Sequence, residues 1–301
     1  MIPVILGTRG SPLALAQTRM MMAALRLAWP QRTFEIRTIK TQGDRLSENP
    51  ATGAEQKIDK GQFTGELEQA LREQRIHIAV HSLKDLPTED SDGLCVAGVP
   101  ARADARDVLI TRGPTTIAEL PAQARLATGS VRRAAQLRLA RADLEMVDIR
   151  GNIDTRLRKF RGNAGWSGLV IAAAGLERLK PDVEGLTVTP LPYEIMLPAP
   201  GQGALALQVR KGAEDIMTLV NALNDPASFA AVKAERMLLH ALGGGCKEPI
   251  AAYARPEPGG KMRLDAVAWL FGEAESRRGH LVRKIEHAER LGIELAVELS
   301  K

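Results

Sequence analysis

Hydrophobic residues follow two alternating patterns over roughly the first two thirds of the chain. Short apolar runs, such as residues 4–6, are typical of buried β-strands. Apolar residues spaced by three or four positions, such as those that follow Ser11 and Pro12, are typical of one face of a helix, and this serine and proline suit its N-cap and first turn. The alternation predicts a parallel sheet covered by helices, which is the α/β class.

The pattern also gives approximate bounds for each element. We predict strands at residues 4–6, 34–39, 76–80, 94–99, 107–110, 126–127, 146–149, 169–172 and 204–209, and helices at residues 12–29 and 63–71 and from residues 130 and 153. The strands up to residue 99 and those from residue 107 form two similar series, which predicts two α/β domains. We expect the strand at 204–209 to rejoin the first sheet, because a hinge between two such domains commonly needs two crossings.

The C-terminal part has a different pattern. A helix at 226–242 precedes strands near 250–253, 262–270 and 280–285, and a terminal helix begins at Ala288. This order predicts a small α+β domain, and the proline-rich run 190–200 predicts a linker. The predicted domains are residues 1–100 with 201–218, residues 101–200, and residues 219–301.

Basic residues are concentrated in the second predicted domain. The whole chain carries a net charge of +5, whereas residues 125–161 alone hold ten basic and four acidic residues, a balance of +6. Nine of the ten are arginine, whose planar guanidinium suits bidentate binding of carboxylate or phosphate. Single-stranded nucleic acid would favour aromatic stacking residues, and this segment contains only Phe160. The pattern therefore favours a small polyanionic ligand over nucleic acid.

Nothing in the sequence suggests export or a membrane location. No apolar run approaches the roughly 20 residues that span a bilayer, and the N-terminus lacks the parts of a signal peptide. The two cysteines cannot form a disulfide framework and have no zinc-site spacing. We expect a cytoplasmic protein without a bound metal.

Polar residues follow several of the predicted strands. They are Arg9 and Ser11; Ser82, Lys84 and Asp85; Thr128, Gly129, Ser130, Arg132 and Arg133; and Arg150 and Gly151. Ligands of open α/β sheets bind at the carboxyl ends of strands, often against helix N-termini, so we expect two facing domains to bring these groups to one cleft. Neither residues 7–11 nor residues 201–203 complete a phosphate-loop or dinucleotide fingerprint.

One cysteine stands in an unusual position. Cys246 follows three consecutive glycines in the stretch LGGGCKEPI. Glycines permit sharp turns and close approach to the backbone, so this thiol looks presented rather than packed. The residues alone nevertheless favour a thiol without a special role, either buried or merely exposed on a turn.

Seven motifs in chain order carry a resemblance. They are Arg9-x-Ser11-Pro12-Leu13-Ala14-Leu15, His81-Ser82-Leu83-Lys84-Asp85-Leu86-Pro87, Arg132-Arg133-x-x-Gln136-Leu137, Arg150-Gly151-Asn152-x-x-Thr155-Arg156, Ala174-Gly175-Leu176, Gly201-Gln202-Gly203-Ala204 and Gly244-Gly245-Cys246. Together they resemble the porphobilinogen deaminase family over roughly residues 4 to 253.

This resemblance implies a transferase of tetrapyrrole and heme biosynthesis. The implied fold has two doubly wound, periplasmic-binding-protein-like α/β domains and a smaller α+β C-terminal domain. A thioether would join Cys246 to a dipyrromethane cofactor, onto which four porphobilinogen molecules are added head to tail with loss of ammonia. Water would then release hydroxymethylbilane. We expect a monomer that binds neither nucleic acid nor a membrane.

The resemblance also implies roles for the residues at the strand ends. Those that would hold the cofactor are Cys246, Ser82, Lys84, Asp85, Thr128, Ser130, Arg132, Arg133, Arg156 and Gln202. Those that would receive the incoming substrate are Arg9, Ser11, Phe63, Arg150 and Arg156. Each pyrrole carries an acetate and a propionate, so an arginine-lined cleft would offset the charge of the growing chain.

Asp85 is the expected catalytic residue. Loss of ammonia from porphobilinogen leaves a cationic methylene pyrrolenine, which a carboxylate at ~4 Å and an effective dielectric constant near 20 would stabilise by about 4 kcal/mol. That energy corresponds to roughly three decades in rate. We expect charge stabilisation to outweigh general acid catalysis, and a turn-capping role before Pro87 is a compatible alternative.

Three features depart from the family pattern. Gly129-Ser130 stands where the family usually has two serines, Lys57–Gly61 replaces a more glycine-rich loop, and Lys247-Glu248 after the cysteine is atypical. Two other functions stay open from the residues alone. A two-domain anion receptor of the solute-binding type would need no cysteine, and a basic nucleic-acid-binding protein fits poorly with an aromatic content of 3%.

Overall fold

The computed structural model describes residues 2–41, 64–243, 249–270 and 275–301. Contacts within the chain divide it into two compact units, Met1–Ala103 with Ala204–Lys233 and Asp104–Gly203 with Ala234–Lys301. Residues 219–233, predicted to open the third domain, are grouped with the first unit. The division into three domains stays a prediction.

Strands and helices alternate through most of the described chain. The strands are β1 (Val4–Thr8), β2 (Phe34–Thr38), β3 (Ile78–Ser82), β4 (Leu94–Gly98), β5 (Asp107–Thr111), β6 (Arg125–Ala127), β7 (Glu145–Val147), β8 (Gly168–Ala172), β9 (Thr187–Pro190), β10 (Leu205–Arg210), β11 (Ile250–Glu257), β12 (Lys261–Ala268) and β13 (Arg277–Lys284). The helices are α1 (Pro12–Ala28), α2 (Gly65–Arg72), α3 (Val131–Ala140), α4 (Ile153–Arg161), α5 (Ala173–Leu179), α6 (Glu214–Asn221), α7 (Pro226–Ala241) and α8 (Ala288–Leu299).

The first unit contains a five-stranded mixed sheet in the order β2-β1-β3-β10-β4. β1 runs parallel to β2 and β3, whereas β10 is antiparallel to β3 and β4. The prediction that residues 204–209 rejoin this sheet is confirmed, but the prediction of a parallel sheet is wrong for β10. Because side chains alternate across a strand, α1 and α6 pack on one face with Val80, and α2 packs on the other with Ala79.

The second unit repeats this topology in a sheet of order β7-β6-β8-β5-β9. β6 is parallel to β7 and β8, and β5 is antiparallel to β8 and β9. The pattern did not predict β9, because it has only four residues and adjoins the prolines that indicated a linker. Helix α5 of this unit and helix α6 of the first unit were also missed, and they are only seven and eight residues long.

The second unit also holds an antiparallel sheet of order β11-β12-β13. Helix α8 packs its leucines inward, and a side chain at Gly292 would collide with the backbone of Ala234 in α7, so these helices meet at backbone contact. The buried Glu235 of α7 accepts hydrogen bonds from the amides of Gly201 (2.7 Å) and Ala254 (2.8 Å), which ties this sheet to the segment after β9. The helices of the described residues include none with the length and apolarity to cross a membrane.

Candidate active site

A small cavity of about 70 Å³ lies at the carboxyl ends of β1 and β3 in the first unit. Four predicted site residues line it, together with others, and these four are Arg9, Ser11, Ser82 and Asp85. β1 and β3 are parallel neighbours, so the residues that follow them meet at one edge of the sheet. Lys84 adjoins Asp85 in the same short 3-10 turn, Leu83–Asp85, but is not among the residues that line the cavity.

The two serines of this cavity are both tied to helix α1. The Oγ of Ser11 accepts the backbone N–H of Ala14 (3.3 Å) as the N-cap of the helix. The side-chain amide of Gln17, which is buried within α1, lies 3.0 Å from the Oγ of Ser82. Helix α1 therefore fixes the position of two predicted binding hydroxyls.

Asp85 is placed by the apolar residues on either side of it. The backbone N–H of Leu83 donates to the carbonyl of Ala204 in the first unit (3.0 Å). Leu83 and Leu86 are both buried in one apolar cluster. Because its neighbours are anchored, the half-buried carboxyl of Asp85 is held at the cavity.

Behind this cavity lies a buried polar chain that the sequence analysis did not assign. The imidazole Nε2 of His81 lies 3.1 Å from Oε1 of Gln208, and the amide of Gln208 donates to Glu68 (3.2 Å). Burial lowers the pKa of His81 to about 4. The available signal was a histidine at the end of an apolar strand, next to predicted site residues.

A buried ion cluster occupies the start of β5 in the second unit. Asp107 is fully buried, with Arg132 at 2.8 Å and Arg133 at 2.9 Å as ion-pair partners, and the side-chain amide of Gln202 donates to it at 2.8 Å. Three predicted cofactor residues therefore share one carboxylate. Burial alone would raise the pKa of Asp107, but the two guanidinium groups outweigh it and hold that pKa well below its usual range. Asp107 was missed, although an acid that opens an apolar strand was a usable signal.

Two more predicted arginines lie nearer the surface of this unit. Arg150 is exposed and pairs with Asp148 at 3.0 Å, a surface contact that contributes little and can be exchanged for a ligand carboxylate. Arg156 donates from Nε to the carbonyl of Gly151 (2.7 Å). Burial, followed by the charges of Arg133 and Arg150, lowers the pKa of Arg156, so an added anion would stabilise this guanidinium.

Two helix N-termini are present in the same region. Ser130 caps α3 and Asn152 caps α4, and these helices begin after β6 and β7, which are adjacent parallel strands. Helix N-termini favour anions. The buried Thr128 lies next to them, where its hydroxyl accepts the N–H of Ser130 at 3.3 Å.

Gly129 is explained by the space around it. A Cβ atom built on Gly129 would lie only 2.5 Å from the carbonyl oxygen of Ile149. A serine at this position would therefore force apart the loops that follow β6 and β7. The departure from the usual pair of serines is a requirement of this backbone packing.

Several predicted site residues lie outside the described residues. These are Cys246 and Phe63, together with the atypical segments 57–61 and 247–248. Their roles stay predictions.

Comparison with known proteins covers almost the whole chain. Residues 4–218 match the family model "Porphobilinogen deaminase, dipyromethane cofactor binding domain", and residues 229–301 match "Porphobilinogen deaminase, C-terminal domain". Porphobilinogen deaminase of Thermus thermophilus is 45% identical over 97% of this chain and 94% of that protein. The enzyme of the same name from Deinococcus deserti is 46% identical over 98% of this chain and 94% of that protein.

Solved structures give a weaker likeness. The BenM effector binding domain with its effector benzoate aligns with a TM-score of 0.42 and 13% identity, over 73% of this chain and 90% of that one. The two family models and the relatives show that the chain belongs to the porphobilinogen deaminase family, the transferases of tetrapyrrole synthesis.

Proposed function

We propose that this enzyme joins four porphobilinogen molecules head to tail on a dipyrromethane held through Cys246, with loss of four ammonia molecules, and releases hydroxymethylbilane with one water. The observation that carries the proposal is the cavity that places Asp85 beside Arg9 and Ser11. A carboxylate and a guanidinium in one small cavity suit a substrate with a developing cation and stable carboxylates.

The residues of the second unit fit a dipyrromethane. Its two pyrrole rings carry four carboxylates. The second unit sets Arg132 and Arg133 against a single buried acid, Asp107, and the charge of Arg133 also acts on Arg156. These arginines, with Thr128, Ser130 and Gln202, would hold the carboxylates, and Ser82, Lys84 and Asp85 of the first unit complete the proposed set. When bound, the dipyrromethane supplies the pyrrole carbon to which the first substrate is joined.

The remaining residues act on the incoming substrate. Arg9 and Arg150 would bind its carboxylates, Ser11 would add a hydrogen bond, and Phe63 and Arg156 complete the proposed set. Arg150 can exchange its exposed partner Asp148 for a substrate carboxylate without a large loss of stability. The carboxylate of Asp85 would stabilise the positive charge that develops as ammonia leaves.

The covalent link is tested by the intact mass of the purified protein. We expect the wild type to be heavier than its polypeptide by two pyrrole units, and Cys246→Ser to lack that mass and activity. Cys95→Ser is the matched control, because Cys95 lies in β4 and packs against the apolar core of the first unit. Unmodified polypeptide in a fully active preparation would contradict the proposal.

The alternative of a solute-binding anion receptor is not favoured by the family match. It predicts that Cys246→Ser retains full ligand affinity, so the same variant discriminates between the two functions. A monomeric state, a cytoplasmic location and the lack of nucleic-acid binding are kept as predictions. Size-exclusion chromatography with light scattering would test the first of them.

A further inference from the structure

The buried chain of His81, Gln208 and Glu68 is not used by the proposed function. It lies on the face of the first sheet that helix α2 covers. Gln208 pairs across β10 and β3 with Ala79, which packs against α2, and His81 is two residues further along β3 and therefore on the same face. All three side chains are nearly excluded from solvent, with exposures of 6% for His81, 2% for Gln208 and 7% for Glu68. At the far end of this series of hydrogen bonds, the hydroxyl of Ser91 donates to the carboxylate of Glu68 at 2.6 Å.

This arrangement selects which ring nitrogen of His81 carries a proton. The side-chain N–H of Gln208 must face the carboxylate of Glu68, because the reversed amide would set two oxygens against each other at 3.2 Å. The amide oxygen of Gln208 then faces Nε2 of His81 and accepts a hydrogen bond from its N–H. Glu68 therefore fixes the amide, and the amide fixes the Nε2–H tautomer of a neutral imidazole.

The charged groups around His81 come from separate parts of the first unit. Glu68 on α2 and Asp85 after β3 favour the imidazolium, whereas Arg9 after β1 opposes it, and burial outweighs all of them. His81 also lines the cavity that contains Asp85 and Arg9. Its protonation would therefore add a positive charge beside the carboxylate on which the proposed chemistry depends.

We propose that His81 is a positioning residue: burial keeps its imidazole neutral, and Gln208 and Glu68 fix its Nε2–H tautomer, so that it adds no positive charge beside Asp85. The inference rests on the proposed role of Asp85. If His81 served only to stabilise the fold, the charge of its imidazole would not affect kcat.

The test moves one carboxylate without changing the net charge. In Glu68→Gln/Gln208→Glu, a carboxylate directly faces Nε2 of His81 and stabilises the imidazolium. A neighbouring opposite charge raises a histidine pKa by about 1–3 units. A rise of about 2 units would lower kcat about tenfold at pH 5, because most of the imidazole would then be charged. The KM for porphobilinogen should change little, since Arg9 and Arg150 keep their charges.

Two further measurements test the role of His81. In His81→Gln/Glu68→Gln/Gln208→Glu the shift of the acidic limb should disappear, and a shift that persists would overturn the inference. Nitrogen-15 NMR, with the His81 signals assigned by their loss in His81→Gln, should show a neutral Nε2–H imidazole at His81 down to about pH 5. A charged His81 at pH 6 or an Nδ1–H tautomer would also overturn it, even if the variants fail to fold.

Failure of the positioning role of His81 can be distinguished from failure of the proposed function. If NMR shows the raised pKa of His81 in the double variant while its kcat profile matches the wild type, the positioning role is wrong and the enzyme activity stands. If the wild type itself does not consume porphobilinogen, the proposed function is wrong.

Discussion

The Asp85 cavity of the first unit and the Asp107 ion cluster of the second unit differ in how their charged groups are arranged. In the first unit, the half-buried carboxyl of Asp85 shares a cavity with His81, whose buried imidazole has a pKa of about 4 and is neutral at pH 7. In the second unit, the carboxylate of Asp107 is fully buried and paired with Arg132 and Arg133. One region keeps a titratable neighbour uncharged, and the other buries its charges as ion pairs.

The difference follows from what each region is proposed to bind. Each positive charge near a carboxylate weakens its stabilisation of a short-lived cation, and Arg9 already lies in this cavity, so a neutral histidine avoids adding a second positive charge. Arginines that bind stable carboxylates can be fixed by a buried counterion, because breaking such a pair is strongly unfavourable. Two arginines against one aspartate also leave one positive charge in excess.

The largest expected effect concerns the charge in the first unit. Asp85→Asn removes that charge at nearly constant shape, and we expect kcat to fall by about three decades, or about 4 kcal/mol in the activation barrier. Porphobilinogen consumption gives the rate, and circular dichroism checks the fold. Asp90→Asn, at an exposed position five residues away, is the control and should retain its activity. Near-normal turnover of the Asp85 variant would remove it from the mechanism.

The next effect concerns the buried anion of the second unit. Asp107→Asn leaves two buried guanidinium groups without a counterion, so we expect the free energy of unfolding in urea to fall by about 3–5 kcal/mol. Glu145→Gln is the matched control, because Glu145 pairs with Arg125 at 3.6 Å on the surface and should change stability by about 1 kcal/mol or less. Equal losses of unfolding free energy in the two variants would contradict a special contribution of the buried Asp107 to stability.

A somewhat smaller effect is expected from pH in the first unit. His81 binds a proton near pH 6.5 in the unfolded chain but near pH 4 in the fold, so between these values the unfolded state binds more protons. The free energy of unfolding should therefore fall by about 3 kcal/mol as the pH drops from 6.5 to 4. Asp107 acts mainly at lower pH, because its carboxyl is half protonated in the unfolded chain near pH 3.9.

Urea unfolding of the wild type and of His81→Gln at pH 7, 6 and 5 isolates the histidine. The substitution should make the free energy of unfolding depend less on pH over this range. The dependence that remains comes from His77, whose pKa is lowered mainly by burial. If the slope is the same in both proteins, the imidazole of His81 is not buried in a neutral state.

The smallest expected effects are at the helix caps, where the two regions should behave alike. Ser11→Ala and Ser130→Ala each remove an N-cap acceptor and should lower the free energy of unfolding by about 1 kcal/mol. The threonine variants keep the hydroxyl and should stay close to the wild type. A much larger loss at one serine would show a role there beyond helix capping.

Much of the fold could be predicted because it depends on local patterns. Ser11 followed by Pro12 marked the start of α1, and apolar runs located nine of the ten strands of the two five-stranded sheets. Strand β9 and helix α5 were missed because short edge elements have too few residues for a clear period. The direction of β10 could not be predicted, because it depends on where the chain returns after about one hundred intervening residues.

The sequence by itself determined the alternation of strands and helices, the arginine-rich segment and the motifs that indicated the family. These depend on residue types and on spacings within short stretches of chain. Only the tertiary structure decided that Asp107 lies between Arg132 and Arg133 and that Gln208 joins Glu68 to His81. Such contacts form between residues 25 to 140 positions apart in the chain, where no local period exists and only packing brings the charges together.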